Sequence, residues 1–408
     1  MAEGGNDPTA LSSRRVDRVL LVVCDSFGVG AAPDAAHYGD AGANTLGHVA
    51  EAVDGLRAPH LAALGLGALT PMKGLVPHGD PGTGHGRLTE RSAGKDSTTG
   101  HWEMAGVVLE HPFPTYPDGF PDEVIAPFEA AIGRAVLGNV AASGTEIIRD
   151  LGDEHVRTGK PIVYTSADSV FQVACHVDVV PLPQLYEWCR IARGILDGPH
   201  RVGRVIARPF AGRSGAYTRT PDRRDFSVSP PHPTLLDFCG RAGVAVCGVG
   251  KIVDLYGGSG VPEFRYSDSN DDGVDLSIEY LAGPGPRLVM VNLVDFDSMY
   301  GHRNDASGYA LCVEALDRRV PELLEAACGD GRGLFFLTGD HGCDPTDLPS
   351  TDHTREYTPV LVAGLRCEVA VDLGTRACFG DLGATVADVF GVATEDLAGE
   401  SFASLLAL

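Results

Sequence analysis

Three short apolar runs in this chain each stop on an aspartate, and no other feature narrows the available folds as far. Val19 to Cys24 ends at Asp25, Leu288 to Val294 ends at Asp295-Phe296-Asp297, and Leu334 to Gly339 ends at Asp340. Runs of this length without polar alternation read as strands buried on both faces, the kind found in parallel sheets. In open α/β sheets, ligands gather outside the carboxyl ends of the strands. Histidines follow two of the runs: His302 after Asp297, and His341 and His353 after Asp340. The chain is therefore expected to bring carboxylates and imidazoles from distant segments to one sheet edge. That is the outline of a metal-dependent enzyme.

A chain of 408 residues exceeds one simple core and allows two or three domains. The region to about residue 108 opens with a strand, a turn containing Gly28 and Gly30, and then helix and loop. From about residue 232 strand and helix alternate, with strands expected at Val244 to Val249, Leu288 to Val294, Leu334 to Leu337 and Val360 to Val362. Residues 306–328 carry Leu316, Val320, Leu323, Leu324 and Ala327 at helical spacing, with Pro321 expected to kink or divide the helix. A last helix is expected over residues 382–390, with Asp381 as its N-cap and Gly391 as its stop. The middle is rich in Pro and Gly turns at both ends and has its own strands, Ile162 to Tyr164 and Arg204 to Ala207. The expectation is an α/β protein with a core over 16–108 and 232–408, its central sheet mostly parallel and flanked by helices. Residues 109–231 would form a smaller inserted α+β cap domain, and residues 1–15 a disordered tail.

A formal charge of −23 argues against a nucleic-acid or anionic-membrane partner. It leaves room for a phosphorylated small molecule, since a local group of cations or metal ions overrides the global field. The ten cysteines are scattered with no Cys-x-x-Cys, which points away from a disulfide framework or a thiolate zinc site and toward a reducing compartment. Met1 to Arg15 contains no apolar core of signal-peptide length, and the run at Val19 is far too short to span a membrane. A cytoplasmic protein with no obligate protein partner is expected.

Asp25, Asp297, His302, Asp340, His341 and His353 supply three carboxylates and three imidazoles. Hard divalent cations prefer carboxylate oxygen, and imidazole moves the preference toward Mn²⁺, Fe²⁺ or Zn²⁺. The mixture is too large for one tetrahedral zinc and suits two adjacent ions clamping a phosphoryl group. Each residue has a plainer alternative: an Asp after a strand caps a helix, and a lone His is solvated or hydrogen-bonded. Asp295 and Asp352 are open between binding metal and orienting a neighbouring His. Gly94 to Glu103 places three consecutive hydroxyls, Ser97, Thr98 and Thr99, between Asp96 and Gly100-His101. A hydroxyl needs a base or a metal to become a nucleophile, and a helix N-terminus beside cations provides the setting. Spacing does not tell that reading from an ordinary Ser/Thr-rich helix cap, nor which hydroxyl reacts.

With these residues in view, the chain resembles the phosphopentomutases of the alkaline phosphatase superfamily. Val23 to Gly30 is similar to that family's opening metal strand, and Gly94 to Glu103 to its nucleophile motif. Asn292 to Asp297, Asp340-His341-Gly342 and Thr351 to Tyr357 continue the match, as do Ala142 to Glu146, Tyr164 to Ser169 and Gly203 to Phe210 in the middle region. The resemblance runs from about Val19 to the C-terminus. It implies an alkaline-phosphatase-like core and makes Ser97 the phosphorylated nucleophile, where the family usually has threonine. It implies Asp25, Ser97, Asp340 and His341 around one ion and Asp297, His302 and His353 around another, with Mn²⁺ the usual metal. Gly339 and Cys343, flanking Asp340-His341-Gly342, also depart from the family's usual residues.

The activity implied is interconversion of ribose 1-phosphate and ribose 5-phosphate, and of the 2-deoxyribose pair, through a pentose 1,5-bisphosphate. A sugar bisphosphate would act as activator. Arg204, Arg208, Arg219 and Lys251 are candidates to hold the distal phosphate, and Ser166 and Asp168 to bond sugar hydroxyls. A metal-dependent phosphatase or another mutase of the superfamily is the alternative enzyme, and a non-catalytic binding protein the alternative from a different class.

Overall fold

The computed structural model describes residues 16–166 and 169–408, so the expected N-terminal tail and Asp168 lie outside the described residues. The chain divides into two compact units, one running to His111 and resuming at Pro230–Leu408, the other Pro112–Ser229. Fourteen strands are found among the described residues. The first unit begins with β1 (Arg18–Cys24) and β2 (Thr83–Leu88). The second holds β3 (Leu137–Ala141), β4 (Ile162–Thr165), β5 (Val170–His176), β6 (Arg204–Arg213), β7 (Ala216–Arg219) and β8 (Arg224–Ser227). The first then resumes with β9 (Ala245–Val249), β10 (Glu263–Arg265), β11 (Arg287–Leu293), β12 (Gly333–Gly339), β13 (Thr358–Ala363) and β14 (Val371–Arg376).

The first unit is built on an eight-stranded sheet in the order β10-β9-β11-β1-β12-β13-β2-β14. β13 is antiparallel to both neighbours, and the other seven strands share one direction. The apolar runs of β1, β11 and β12 form the middle of this sheet, and β11 and β12 are buried throughout. Alternate residues face opposite sides. Leu20, Val22, Val289, Val291, Phe335 and Leu337 join a core cluster with the helices Thr45–Ala52, Asn270–Leu281 and Ala306–Cys328. Val19, Leu21, Leu288, Met290, Leu334 and Phe336 are as deeply buried outside that cluster. This is the mostly parallel, helix-flanked α/β core that the sequence predicts.

Helix Ala306–Cys328 runs unbroken over Pro321, so the expected division is not found. Leu316, Val320, Leu323 and Ala327 are buried along it. At roughly 1.5–3 kcal/mol for each large apolar side chain, that burial outweighs the ~3 kcal/mol a mid-helix proline costs. The last helix is Gly380–Phe390, with Gly391 in the left-handed conformation at its end as expected. Asp381 is not its N-cap. Its carboxylate instead accepts from Arg376 Nε at 2.9 Å and from the Glu400 amide at 2.8 Å.

The second unit has a six-stranded sheet in which β3 to β7 are ordered as in the chain and β8 pairs with β6. One face carries Val163, Phe171, Val173, Val205 and Ala207, packed with residues of the helices Asp122–Ile132 and Leu182–Ile195. The other carries Ile162, Tyr164, Ala174 and Phe210 with Ile147 and Ile148 of the helix Gly144–Thr158. All ten cysteines are free. Among the described residues no helix is long and apolar enough to cross a membrane.

Candidate metal centre and nucleophile

Strand register assembles the centre. Cys24, the last residue of β1, lies level with Leu293 on β11 and Gly339 on β12. Neighbouring strands are about 4.8 Å apart, so Asp25 and Asp340, each the next residue of its chain segment, emerge side by side. Asp297 follows four residues beyond the end of β11, inside a short helical turn over Phe296–Tyr300. β13 runs the opposite way, so the loop before its first residue reaches this same edge and brings His353 with it.

Two sets of three ligating side chains result, each with its donor atoms within 4.8 Å of one another: Asp25, Asp297 and His341, and Asp297, His302 and His353. Asp297 belongs to both. Its Oδ2 is 3.1 Å from His302 Nε2, and its Oδ1 is 3.6 Å from His353 Nε2. His341 Nε2 lies 3.3 Å from Asp25 Oδ1 and 3.5 Å from Asp340 Oδ2. Asp340 holds the turn as well, its Oδ1 accepting from the amides of Ser26 and His341 at 3.1 Å each. Ser26 takes a left-handed φ of 69° to make that bond.

Ser97 opens the helix Ser97–Met104, whose N-cap is Asp96. The Asp96 carboxylate accepts from the Thr99 amide at 3.1 Å and from the Thr99 hydroxyl at 2.6 Å, a local closure that occupies Thr99. Ser97 Oγ is instead 3.2 Å from His341 Nε2 and 3.5 Å from Asp25 Oδ1. Gly100 permits this approach: a Cβ there would lie 2.2 Å from the Asp340 carbonyl oxygen. The helix and the loop before it are pinned by buried charge. Glu103 accepts from the amides of Arg91, Ser92 and Phe379, and Arg355 donates to the carbonyls of Glu90, Ser92 and Gly94 while pairing with Glu90 and Asp34.

The donor set fits divalent cations. Asp297 Oδ1 and Asp340 Oδ2 are buried and have no hydrogen-bond partner among the described residues. Such groups are costly unless something else satisfies them. His302 Nδ1 donates to the Thr351 carbonyl at 2.6 Å and His341 Nδ1 to the Gly342 carbonyl at 3.0 Å, turning both Nε2 atoms toward the carboxylates. His302 and His353 oppose their Nε2 atoms at 3.2 Å. The electrostatics ask for positive charge here. The Asp297 carboxylate beside it, with Cys343, pushes the His302 imidazole up to about 11. Burial alone would raise the Asp25 carboxyl, yet the neighbouring His341 brings it below the ordinary carboxylate range.

Over residues 17–394 the chain matches the Metalloenzyme superfamily. A phosphopentomutase of Acetivibrio thermocellus is 53% identical over 385 residues, covering 94% of this chain and 98% of its own. Those of Desulfitobacterium hafniense and Anaeromyxobacter dehalogenans are 52% and 55% identical over 386 residues, again covering 94% of this chain. The chain belongs to the phosphopentomutase family.

The phosphopentomutase resemblance read from the motifs is thus the family found, and the structure brings together all seven residues that the resemblance implies as metal ligands. Lys251 follows β9 at the same sheet edge, and its charge helps hold Asp25 low. Ser166 follows β4 in the second unit, where Arg204 and Arg208 lie on β6 and Arg219 ends β7. Asp295 does not orient a histidine: it exchanges bonds with Asn270, accepting from the Asn270 amide at 2.8 Å. Asp352 accepts from the His353 amide at 2.9 Å and lies 3.4 Å from Lys95. Three residues inside the quoted motifs carry parts that the motif reading did not assign. Asn292 Nδ2 donates to Asp25 Oδ2 at 3.2 Å, and the Thr351 carbonyl aims His302. His101 Nδ1 lies 2.8 Å from the Ser97 carbonyl and 3.2 Å from Asp340 Oδ2. Its i+4 spacing from Ser97 was the available signal.

Proposed function

We propose that the chain is a phosphopentomutase, interconverting ribose 1-phosphate and ribose 5-phosphate, and the 2-deoxyribose pair, with Ser97 as the group that carries the phosphoryl. The observation that supports this most is the position of Ser97 Oγ, at a helix N-terminus and 3.2 Å from His341 Nε2, beside Asp25. Asp25, Ser97, Asp340 and His341 would hold one divalent ion, and Asp297, His302 and His353 the other, with Asp297 able to reach both. Two such ions, Mn²⁺ in this reading, supply Lewis-acid stabilisation of the phosphoryl oxygens and favour the Ser97 alkoxide.

A sugar bisphosphate first phosphorylates Ser97. With ribose 5-phosphate bound, the bond from phosphorus to Ser97 Oγ breaks as one forms to the C1 oxygen, giving ribose 1,5-bisphosphate. The bisphosphate reorients, Ser97 Oγ takes the 5-phosphoryl, and ribose 1-phosphate leaves. The proton lost by the C1 hydroxyl is gained by the C5 oxygen over the full cycle, so no net proton is exchanged. The N-terminus of the Ser97–Met104 helix favours the negative charge that develops on the transferring group. In this reading Arg204, Arg208, Arg219 and Lys251 serve the distal phosphate, and Ser166 and Asp168 the sugar hydroxyls. Ten free cysteines and the acidic charge agree with a cytoplasmic enzyme working on small molecules.

The test is phosphorus NMR of Mn²⁺-loaded protein with ribose 5-phosphate and a trace of sugar bisphosphate. Growth of ribose 1-phosphate without inorganic phosphate supports the mutase. Release of inorganic phosphate would make the chain a phosphatase, and an unchanged spectrum would remove the pentose substrate.

A further inference from the structure

Two buried aromatic residues of the first unit carry polar atoms that the transfer chemistry does not use. Trp102, in the Ser97–Met104 helix, and Tyr256, just past the one-turn helix Ile252–Leu255, are both fully buried. Trp102 Nε1 donates to the Leu255 carbonyl at 2.9 Å, and the Tyr256 hydroxyl donates to the His101 carbonyl. Each side chain therefore takes the carbonyl of the residue immediately before the other. A buried indole N–H or phenol hydroxyl needs a partner, but any acceptor in reach would satisfy it. Here both donors join the same two segments, and the two bonds form a reciprocal clasp. Burial pushes the Tyr256 hydroxyl well above the ordinary phenol range, so it stays a donor near neutral pH.

The residues one turn upstream show what the clasp connects. His101 Nδ1 lies 2.8 Å from the Ser97 carbonyl, and the Leu255 amide donates to the Lys251 carbonyl at 2.9 Å. Each clasped carbonyl thus belongs to a residue bonded back to a member of the proposed site. One is Ser97, the phosphoryl carrier, and the other is Lys251, a candidate for the distal phosphate. The sheet does not fix this pair by itself. Val249 on β9 is level with Val291 on β11, which is level with Val22 on β1. Lys251 therefore leaves the sheet two strands from Asp25, about 10 Å away at the usual spacing. Gly250, left-handed at φ 74°, turns the chain out of β9 there. Ser97 lies on no strand, since its helix follows a loop after β2. The clasp joins these two elements directly.

We propose that Trp102 and Tyr256 are positioning residues, whose reciprocal bonds hold the Lys251 turn at a fixed place against the Ser97 helix. The cation that serves the distal phosphate and the hydroxyl that carries the phosphoryl then keep one separation. The proposal rests on the reading above for the roles of Ser97 and Lys251. In a mutase the two ends of one bisphosphate meet the same hydroxyl in turn, so this separation is used twice in each cycle.

The test is a double-mutant cycle on the full, Mn²⁺-loaded chain, assayed with ribose 5-phosphate and a trace of sugar bisphosphate, with hydrogen exchange measured on the same proteins. Tyr256→Phe keeps the ring and removes only the donor. The amides of residues 97–104 and 251–256 should exchange faster together in this variant. Its kcat/KM should fall about tenfold, the scale on which small misplacements of positioned groups are felt. With Lys251→Ala already in place, the same change should cost less than about twofold, since no cation is left to misplace. A loss of packing alone would cost the same factor in both backgrounds. Trp102→Phe removes the other donor and should show the same dependence on Lys251, with a lower melting temperature because it also vacates volume. Equal penalties with and without Lys251 would overturn the positioning role, as would a Tyr256→Phe protein with unaltered exchange and turnover. A Lys251→Ala protein as active as the unmodified chain would instead overturn the role of Lys251 in the reading above, and this proposal with it. An unmodified chain without mutase turnover would remove the reaction on which both depend.

Discussion

Ser97, Thr98 and Thr99 carry the same functional group, and their surroundings separate them. The Thr99 hydroxyl is buried and bonded to the Asp96 cap, whereas the Ser97 hydroxyl faces His341 and Asp25. Ser97→Ala should lower kcat by on the order of 10³-fold or more, as removal of an activated nucleophile does. Thr98→Ala should stay within about threefold. Mass spectrometry after a bisphosphate pulse checks the assignment: a phosphoryl adduct surviving in Ser97→Ala would move the nucleophile elsewhere. Asp297 allows a second test, because it alone joins both ligand sets. Asp297→Asn should reduce bound metal from two ions toward none, while His302→Ala should leave about one, measured by elemental analysis after dialysis. Equal losses in the two variants would disprove the shared role. The ligands themselves were legible because chemistry restricts them to few residue types. Their supports were not: the Thr351 carbonyl that aims His302 is a backbone atom with no sequence signature, and Asn292 lies within the apolar run of β11.

At the scale of elements, β1, β11 and β12 announced themselves because burial on both faces demands nearly continuous apolar runs. β2 reads Thr-Gly-His-Gly-Arg-Leu and β14 reads Val-Asp-Leu-Gly-Thr-Arg, and neither alternates nor runs apolar, so pairing rather than composition makes them strands. The reversed direction of β13 was equally hidden, although it delivers His353 to the ligand edge. Packing of the nucleophile helix offers a prediction at this scale. Gly100 sits against the Asp340 carbonyl, and a methyl group there forces the Ser97–Met104 helix away from the strand end. Overpacking of this kind costs about 1–3 kcal/mol. Gly100→Ala should therefore melt a few degrees lower and lose more than about tenfold in kcat, since small displacements of positioned groups are costly. A variant that melts lower yet turns over normally would show that the helix position does not set the position of Ser97.

Across the whole molecule, every candidate metal ligand lies in the first unit, on segments that join sequence positions as distant as Asp25 and His353. The second unit has two apolar clusters of its own, on opposite faces of its sheet, and contributes none of these ligands. Metal binding is therefore thermodynamically linked to the folding of the first unit. An ion present at a hundredfold over its dissociation constant adds about 2.7 kcal/mol to the state that binds it. It also relieves the juxtaposition of Asp25, Asp297 and Asp340 in a chain already at −23. Hydrogen exchange followed by mass spectrometry can read the two units separately. On chelation, the carboxyl ends of β1, β11 and β12, with the 340–353 loop, should lose protection, and restoring Mn²⁺ should return it. The strands β4, β5 and β6 draw their stability from Phe171, Val173, Val205 and their helices, so their exchange should be unaltered by the same treatment. Equal deprotection of β4 to β6 would mean that the second unit depends on the metal centre for its fold. An unchanged first unit, with metal loss verified, would mean that the ligand cluster is held by the packed strands alone and gains nothing from the ions.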